Sequence, residues 1–154
     1  MKTSLFEKIQ TKEFTIEDMD CVLKFQDELR KAGSYSFFCE KVFVDILREI
    51  QTSGTLFGRI AYLGNEPVGL IFGDIQPKWY HGFDCAWLIA IVVHPDYRRQ
   101  GIGKRLLVEF LEKVRELGLK RVCTMTEFAD DETIAFLQKM GFKRGKFVQL
   151  EKQI

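Results

Sequence analysis

Apolar positions in the first third of the chain recur at helical spacing. Thr15, followed three residues later by Asp18, resembles a capping box, and the helix that it opens is predicted to close at Gly33. A second amphipathic helix is predicted from the apolar positions of residues 42–50 and ends near Gly54. A short strand is a candidate around residues 4–9.

From residue 56 the pattern changes to that of strands. Residues 56–63 and 68–75 are predicted strands joined by Gly64-Asn65-Glu66-Pro67, which is typical of a turn. Residues 85–93 are apolar at nearly every position, as expected of a strand that is covered on both faces. His94-Pro95 ends that strand, because proline cannot donate to a ladder.

The last third of the chain alternates between helix and strand. One apolar stripe follows Gly103 and consists of Leu106, Leu107, Phe110, Leu111, Val114 and Leu117, and Gly118 stops that helix. A strand at 121–126, a helix at 130–140 and a strand at 142–150 follow. The order predicts one three-layer α/β domain with a mixed sheet, spanning residues 1–154.

Composition narrows the classes of function. The chain of 154 residues carries a formal net charge of +1, so no nucleic-acid partner is required. Its four cysteines are widely separated, which predicts free thiols and no metal site. No apolar run has the length of a membrane span, and the charged N-terminus does not resemble a signal peptide. These features predict a soluble, cytoplasmic protein without a membrane partner.

The junction between residue 93 and the helix at Gly103 carries candidate chemistry. Gly101 and Gly103 let the backbone approach a ligand closely, and the amides of a helix start favour an anion. Basic side chains add full positive charge around the same turn, namely Arg98, Arg99, Lys104 and Arg105. A pyrophosphate group is the predicted occupant.

Two other phosphate-binding loops fail on residues that their mechanisms require. A Walker A loop needs a first glycine where this chain has Arg98, and a hydroxyl residue where it has Arg105. A dinucleotide fingerprint needs a third glycine at the position of Leu106. The loop belongs to neither class.

Residues 92–107, Val-Val-His-Pro-Asp-Tyr-Arg-Arg-Gln-Gly-Ile-Gly-Lys-Arg-Leu-Leu, resemble motif A of the GNAT superfamily of acetyltransferases. The family pattern Arg/Gln-x-x-Gly-x-Gly/Ala is met by Arg98, Gly101 and Gly103. Residues 135–142 resemble the second conserved helix of the family with its Gly-Phe ending. The resemblance implies a three-layer αβα fold, with a central mixed, mostly antiparallel sheet and a splayed parallel strand pair.

The resemblance also implies an activity and a cosubstrate. Such proteins transfer an acetyl group from acetyl-CoA to a primary amine by direct attack, without a metal. The amine would be a small molecule, a protein N-terminus or a lysine, and the protein a monomer or a homodimer. The amide of Val93 would polarise the thioester carbonyl. The implied cofactor-binding residues are Ile91, Val93, Arg98, Arg99, Gln100, Gly101, Ile102, Gly103, Lys104, Asp130 and Phe136.

The acid–base residues that relatives commonly carry are missing from the pattern. Residues 88–90 are Leu-Ile-Ala where many relatives have an acidic residue, and Leu137 occupies the position of a common tyrosine. Glu127 is the first candidate for a catalytic base, with Asp74, Asp84 and His81 as alternatives. Candidates for an apolar acceptor pocket, which are equally typical of core packing, are Tyr35, Phe37, Phe38, Trp79, Tyr80 and Phe83.

The missing side chains keep a second class of function open. A non-catalytic acyl-CoA-binding regulatory module would have the same phosphate loop and would not need an acid or a base. A nucleic-acid-binding domain is the third alternative, and the near-neutral charge argues against it.

Overall fold

The described parts of the chain contain a strand and a helix, then three consecutive strands, and then helix, strand and helix. The computed structural model describes residues 5–32, 48, 52–76, 84–127 and 129–154. The strands are β1 (Ile9–Glu13), β2 (Phe57–Leu63), β3 (Glu66–Gln76), β4 (Cys85–Val93) and β5 (Val122–Thr124). The helices are α1 (Met19–Lys31), α2 (Ile102–Glu116) and α3 (Asp131–Lys139).

The five strands form one mixed sheet in chain order, from β1 to β5. The first four pair antiparallel, whereas β5 runs parallel to β4. The predicted turn between β2 and β3 is confirmed, but it is shorter than expected, because Leu63 already pairs with Glu66. Pro67 lies in β3 opposite the irregular register at Ala61 and Tyr62, where a residue without an N–H group is tolerated.

The two larger helices cover opposite faces of the sheet. Val22, Phe25 and Leu29 of α1 pack against side chains of one face, namely Ile60, Leu70 and Phe72. On the other face Phe110 of α2 stacks on Phe57 of β2, with 4.8 Å between the ring centroids. Residues i and i+2 of a strand share a face, which is why the two sets come from alternate positions. The predicted layering of helix, sheet and helix is confirmed.

The capping box predicted before α1 is present. Asp18 is buried and accepts hydrogen bonds from the Thr15 backbone N–H at 2.9 Å and from Thr15 Oγ1 at 3.0 Å. Its other oxygen pairs with Lys12 Nζ. Burial raises the pKa of the carboxyl, but the bonds from Lys12 and Thr15 outweigh this effect and hold it below its ordinary value. A short 3₁₀ turn, Ile16–Asp18, separates the cap from α1.

The chain divides into two compact units, Met1–Thr124 and Met125–Ile154. The second unit contains α3, and the strand predicted over residues 142–150 is wrong, because those residues form no regular element. The described residues of this unit include no other strand, and a strand needs a partner for its backbone hydrogen bonds. The single domain over 1–154 stays a prediction.

Two N-terminal predictions have different outcomes. The strand expected at residues 4–9 is displaced, because Leu5–Lys8 form a 3₁₀ turn and the strand begins at Ile9. The helix predicted over 42–50 lies outside the described residues, apart from a helical residue 48. Within the described ranges we find no helix with the length and hydropathy needed to cross a membrane.

Candidate active site

The parallel pair β4 and β5 separates halfway along β4. Only residues 86–88 of β4 pair with residues 122–124 of β5. At the last step the Thr124 side chain donates from Oγ1 to the Leu88 carbonyl at 2.8 Å. Residues 89–93 therefore continue without β5 beside them, and among the described residues no other strand pairs with that edge of β4.

A bulge decides which backbone groups face this open edge. Phe72 of β3 pairs with Ala90 and Gly73 pairs with Leu88, so Ile89 is an extra residue in β4. Beyond the bulge, His94 donates its N–H to the Val68 carbonyl of β3 at 2.9 Å. Because backbone groups alternate in direction along a strand, the N–H and C=O groups of Ile91 and Val93 point away from β3. They face the gap that β5 has left.

The loop after β4 begins as a short, internally bonded turn. Residues Pro95–Tyr97 form a 3₁₀ helix, and His94 Nδ1 accepts from the Asp96 N–H at 3.3 Å. Arg98 then turns back and donates from Nε to the Val93 carbonyl at 3.1 Å. These contacts connect the loop to the end of the strand.

Helix α2 starts from a left-handed glycine. Gly101 has φ +86° at the N-cap, and Arg99 before it also has a positive φ of +63°. A side chain at such a φ is uncommon and marks a loop whose shape is imposed by its surroundings. No side chain caps the helix among the described residues, so the first amides, those of Ile102, Gly103 and Lys104, have no partner within the helix. They form a cradle of donors, and the exposed side chains of Arg99 and Lys104 lie beside it.

Close packing fixes the first turn of α2 against β3. A Cβ atom built on Gly69 would lie 3.2 Å from Leu106 Cδ1 and 3.3 Å from Ile102 Cγ2. These distances are shorter than most real Cβ contacts, so a larger residue at this position would require the helix side chains to shift away from the sheet. Ile102 and Leu106 are buried over it. The first turn of α2, which carries the amides of the cradle, thus packs directly on β3 through buried side chains.

Arg105 does not join the exposed basic side chains of the loop, and the sequence prediction is wrong in this respect. Its Nε lies 3.1 Å from Glu109 Oε1, and its Nη1 donates to the Ile9 carbonyl at 2.8 Å. Arg59 Nε approaches the second oxygen of Glu109 to 2.6 Å. Burial raises the pKa of Glu109, but hydrogen bonds from Thr11 and Arg105 and the charge of Arg59 outweigh it, so the pKa is lowered.

The structure brings one group of the candidate residues together. Ile91, Val93 and residues 98–104 share the end of β4 and the start of α2. Three other candidates, Glu127, Asp130 and Phe136, belong to the second unit, where Asp130 Oδ1 accepts the Thr133 N–H at 3.0 Å as the N-cap of α3. Glu127 is exposed there, and Leu137, at the position of the common tyrosine, is buried.

The alternative bases do not gather at this end of the sheet. Asp84 precedes Cys85, and Asp74 pairs with Trp87 in the half of β4 that is remote from Val93. Nine residues of strand separate the ends of β4 by about 26 Å, so Asp84 is too far from Val93 to act beside it. Asp84 lines a shallow 360 Å³ cleft at the C-terminal end of α2. His81 and the six aromatic acceptor candidates lie outside the described residues.

The bulge at Ile89 is the feature that sequence reasoning missed. A strand that is apolar at nearly every position has no period that an extra residue could interrupt. Consequently the sequence did not reveal the extra residue, although the family resemblance had already named Ile91 and Val93 as residues whose backbone groups would meet the cofactor. No cluster of potential metal ligands occurs in the part of the chain that the structure describes.

Comparison with known proteins identifies the family. Residues 8–142 match the sequence profile of the Acetyltransferase (GNAT) family. The chain belongs to the GNAT family. The matched range includes the loop from Arg98 to Gly103, and members of this family use acetyl-CoA.

Named relatives in the GNAT family match only parts of the chain. The uncharacterized N-acetyltransferase ycf52 of Gracilaria tenuistipitata var. liui is 35% identical over 52 residues, which are 34% of this chain and 27% of that protein. Glucosamine 6-phosphate N-acetyltransferase of Trypanosoma brucei brucei is 32% identical over 84 residues, 51% of this chain and 55% of that protein. The chain thus spans between about a quarter and just over half of the length of these relatives.

Solved GNAT structures share the fold over nearly the whole chain. The aminoglycoside N-acetyltransferase AAC(6')-Iy in complex with CoA superposes with a TM-score of 0.77 at 16% identity, covering 94% of each chain. At this identity the match establishes the architecture. The mixed open sheet with helices on both faces is accordingly a GNAT fold.

Proposed function

We propose that this protein is an N-acetyltransferase that moves the acetyl group of acetyl-CoA to a primary amine. The observation that carries the proposal is that two sets of backbone groups without a helix or strand partner border the same loop. The uncapped amides of residues 102–104 lie at one end of the loop, and the outward backbone groups of Ile91 and Val93 lie at the other. One ligand with a phosphate end and an amide-bearing arm satisfies both.

The cradle fits a pyrophosphate group. Amides at a helix start carry partial positive charge and point at the ligand, and the left-handed Gly101 leaves no side chain in the way. Arg99 and Lys104 supply full charges from exposed positions beside these amides. Gln100 and Arg98 complete the set of loop residues proposed to hold the phosphates.

The open edge of β4 fits the arm. Backbone groups that have lost their strand neighbour need other partners, and the amide groups of a pantetheine arm can provide them. Ile91 and Val93 would bond the arm as a missing strand would. The Val93 carbonyl is bonded by Arg98, so binding of the arm at that atom would require the guanidinium to move.

The reaction requires that this chain orient the two reactants and polarise the thioester carbonyl, and little more. Acetyl-CoA supplies an acetyl group that is activated as a thioester; the amine nitrogen forms the new C–N bond as the C–S bond breaks. The Val93 N–H is proposed to donate to the carbonyl oxygen as negative charge develops on it. Orientation of the two reactants beside β4 supplies a large part of the rate enhancement. CoA leaves as its thiolate, and the proton that the amine loses passes to a base, for which Glu127 stays the candidate predicted from the sequence.

Calorimetric titration with acetyl-CoA tests the binding half of the proposal. ADP and NAD serve as controls, because they share phosphates with acetyl-CoA but lack the acylated arm. We expect saturable binding of acetyl-CoA that neither control reproduces. Absence of acetyl-CoA binding would reject the function.

Turnover separates the enzyme from a non-catalytic acyl-CoA-binding module. A panel of small amines, lysine-containing peptides and free peptide N-termini is incubated with acetyl-CoA, and the released thiol is measured. Release that depends on one of the amines supports transfer. Tight binding of acetyl-CoA without thiol release across the panel would favour the module, for which the missing acidic residue at 88–90 and Leu137 also argue.

A further inference from the structure

The face of α2 that borders β1 carries a ladder of polar contacts. Arg105 contacts the Ile9 carbonyl, and two turns further along, Lys113 Nζ lies 3.4 Å from Glu13 Oε1. Glu109 lies between them in a hydrogen bond with Thr11. The helix thus contributes every fourth residue and the strand every second residue.

The geometry of helix and strand explains why these contacts remain in register. Four residues of helix rise about 6.0 Å, and two residues of strand rise about 6.6 Å. The two repeats therefore stay aligned over three successive contacts. Because the two rises are nearly equal, the contacts keep α2 aligned with β1.

The same contacts cover the free edge of the sheet. Phe14 donates its N–H to the Gly58 carbonyl of β2, so by alternation the carbonyls of Ile9 and Thr11 point away from β2. Arg105 Nη1 bonds the Ile9 carbonyl at 2.8 Å, and Arg59 Nη2 lies 3.5 Å from the Thr11 carbonyl. Two guanidinium groups thereby occupy acceptors that an edge strand otherwise exposes.

The first contact of the ladder lies directly behind the cradle. The backbone N–H of Arg105 donates to the Gly101 carbonyl at 3.0 Å and closes the first turn of α2. The three amides of the cradle belong to the residues between these two. Gly69 fixes the inner side of this turn through Ile102 and Leu106. Arg105 fixes the same turn at β1.

We propose that Arg105 is a positioning residue for the phosphate cradle: its contacts with Ile9 and Glu109 hold the first turn of α2 in the place where its amides meet a pyrophosphate. This inference rests on the proposed function. Arg105 acts through the helix backbone and not by contact with the ligand, since its guanidinium is bonded at β1. Hydrogen bonds weaken steeply when their distances and angles depart from the preferred values, so a shift of this turn would weaken the binding of the pyrophosphate.

The test compares Arg105→Gln with Lys113→Gln. Both variants remove one positive charge from the same face of α2, but Lys113 contacts β1 two turns away from the cradle. We expect Arg105→Gln to weaken acetyl-CoA binding about tenfold while kcat at saturation stays within twofold. Lys113→Gln is expected to leave the Kd unchanged. Equal affinities of Arg105→Gln and the wild-type protein would overturn the proposal.

A third variant separates position from charge. Arg105→Lys keeps the charge but cannot bridge Glu109 and Ile9 with a planar fork. We expect its affinity for acetyl-CoA to stay at least threefold below that of the wild-type protein. Full recovery of affinity with lysine would show that charge alone matters and would refute the positioning role.

Two further measurements test the inference if Arg105→Gln does not fold or if the wild-type protein does not bind acetyl-CoA. If Arg105→Gln does not fold, Glu109→Gln removes the carboxylate that orients Arg105, and an unchanged Kd in that variant would contradict the proposal. If the wild-type protein does not bind acetyl-CoA, the proposed function fails by itself. Hydrogen exchange of the backbone amide of residue 105, which donates to the Gly101 carbonyl and closes the first turn, then decides, because the proposal requires this amide to exchange faster in Arg105→Gln than in Lys113→Gln.

Discussion

The ring of Phe110 lies so close over Gly73 that a Cβ atom built on this glycine would stand 2.7 Å from Cζ of the ring. Phe110 is buried and also stacks on Phe57, so it has no space into which it can withdraw. Gly69 lies four residues earlier in the same strand, under Leu106, and together with Gly73 it allows α2 to lie close to β3. The position of α2, and with it that of the cradle, depends on these two residues without side chains.

Gly73→Ala should therefore destabilise the protein. A Cβ atom at this position would also lie 2.5 Å from the Trp87 carbonyl oxygen of β4, so both the sheet backbone and the ring would have to move. Overpacking of this kind costs about 1–3 kcal/mol. Gly145→Ala is the control, since a Cβ at that position meets nothing within 4 Å. Denaturant unfolding measures both variants. A Gly73→Ala protein as stable as Gly145→Ala would show that the core tolerates the shift.

Gly101→Ala should impair cofactor binding, with Gly118→Ala as a matched control. Both glycines have a left-handed φ, +86° and +75°, and they flank the two ends of α2. Each alanine is expected to cost about 1–2 kcal/mol of stability, the usual cost of this conformation. Only Gly101 lies at the cradle, so only Gly101→Ala should weaken acetyl-CoA binding, by tenfold or more. Calorimetry that finds the same loss in both variants would argue against the assignment of the cradle.

The stability of the protein should depend on pH through Glu109. Its pKa in the folded protein lies below the ordinary value of 4.5, so its ionised form stabilises the fold above that pH. This contribution is lost as the pH falls through the folded-state pKa. Glu109→Gln should cost about 2 kcal/mol at pH 7, because it weakens charged hydrogen bonds to half-buried arginines.

The difference in unfolding free energy between the wild-type protein and Glu109→Gln should accordingly narrow below pH 4.5. Urea unfolding at a series of pH values measures it. Glu112→Gln, exposed on the same helix, is the control and should track the wild-type curve. A difference that does not change with pH would mean that the Glu109 carboxylate is not the titrating group.

Asp18→Ala should destabilise the start of α1. The substitution removes the acceptor of two Thr15 bonds and the partner of Lys12, and loss of a capping side chain costs about 1–2 kcal/mol. Asp20→Ala, exposed in the first turn of the same helix, should stay within about 0.5 kcal/mol of the wild-type protein. If thermal unfolding showed the same loss of stability in both variants, a capping role of Asp18 would be excluded.

Many local features could be predicted because they depend on neighbouring residues. The capping box of Thr15 and Asp18, the hairpin turn after Leu63 and the start of α2 after Gly101 follow from short-range backbone chemistry. The strand predicted over 142–150 failed because a strand also needs a partner, and a local pattern does not specify one. Arg105 was placed at the loop because neighbours in sequence are near in space, although a helix directs successive side chains to different faces.

The sequence by itself determined the family and the order of the strands and helices from β2 to α3, because the spacing of apolar residues and glycines specifies local elements. The phosphate-binding role of the loop stays a prediction. Tertiary structure alone decided how the backbone places its groups at the site. The extra residue at Ile89 turns the backbone groups of Ile91 and Val93 toward the gap, and the pairing of β5 ends at Leu88. The physical reason is that hydrogen bonds between strands depend on register, and register is set by the whole sheet rather than by any segment of the chain.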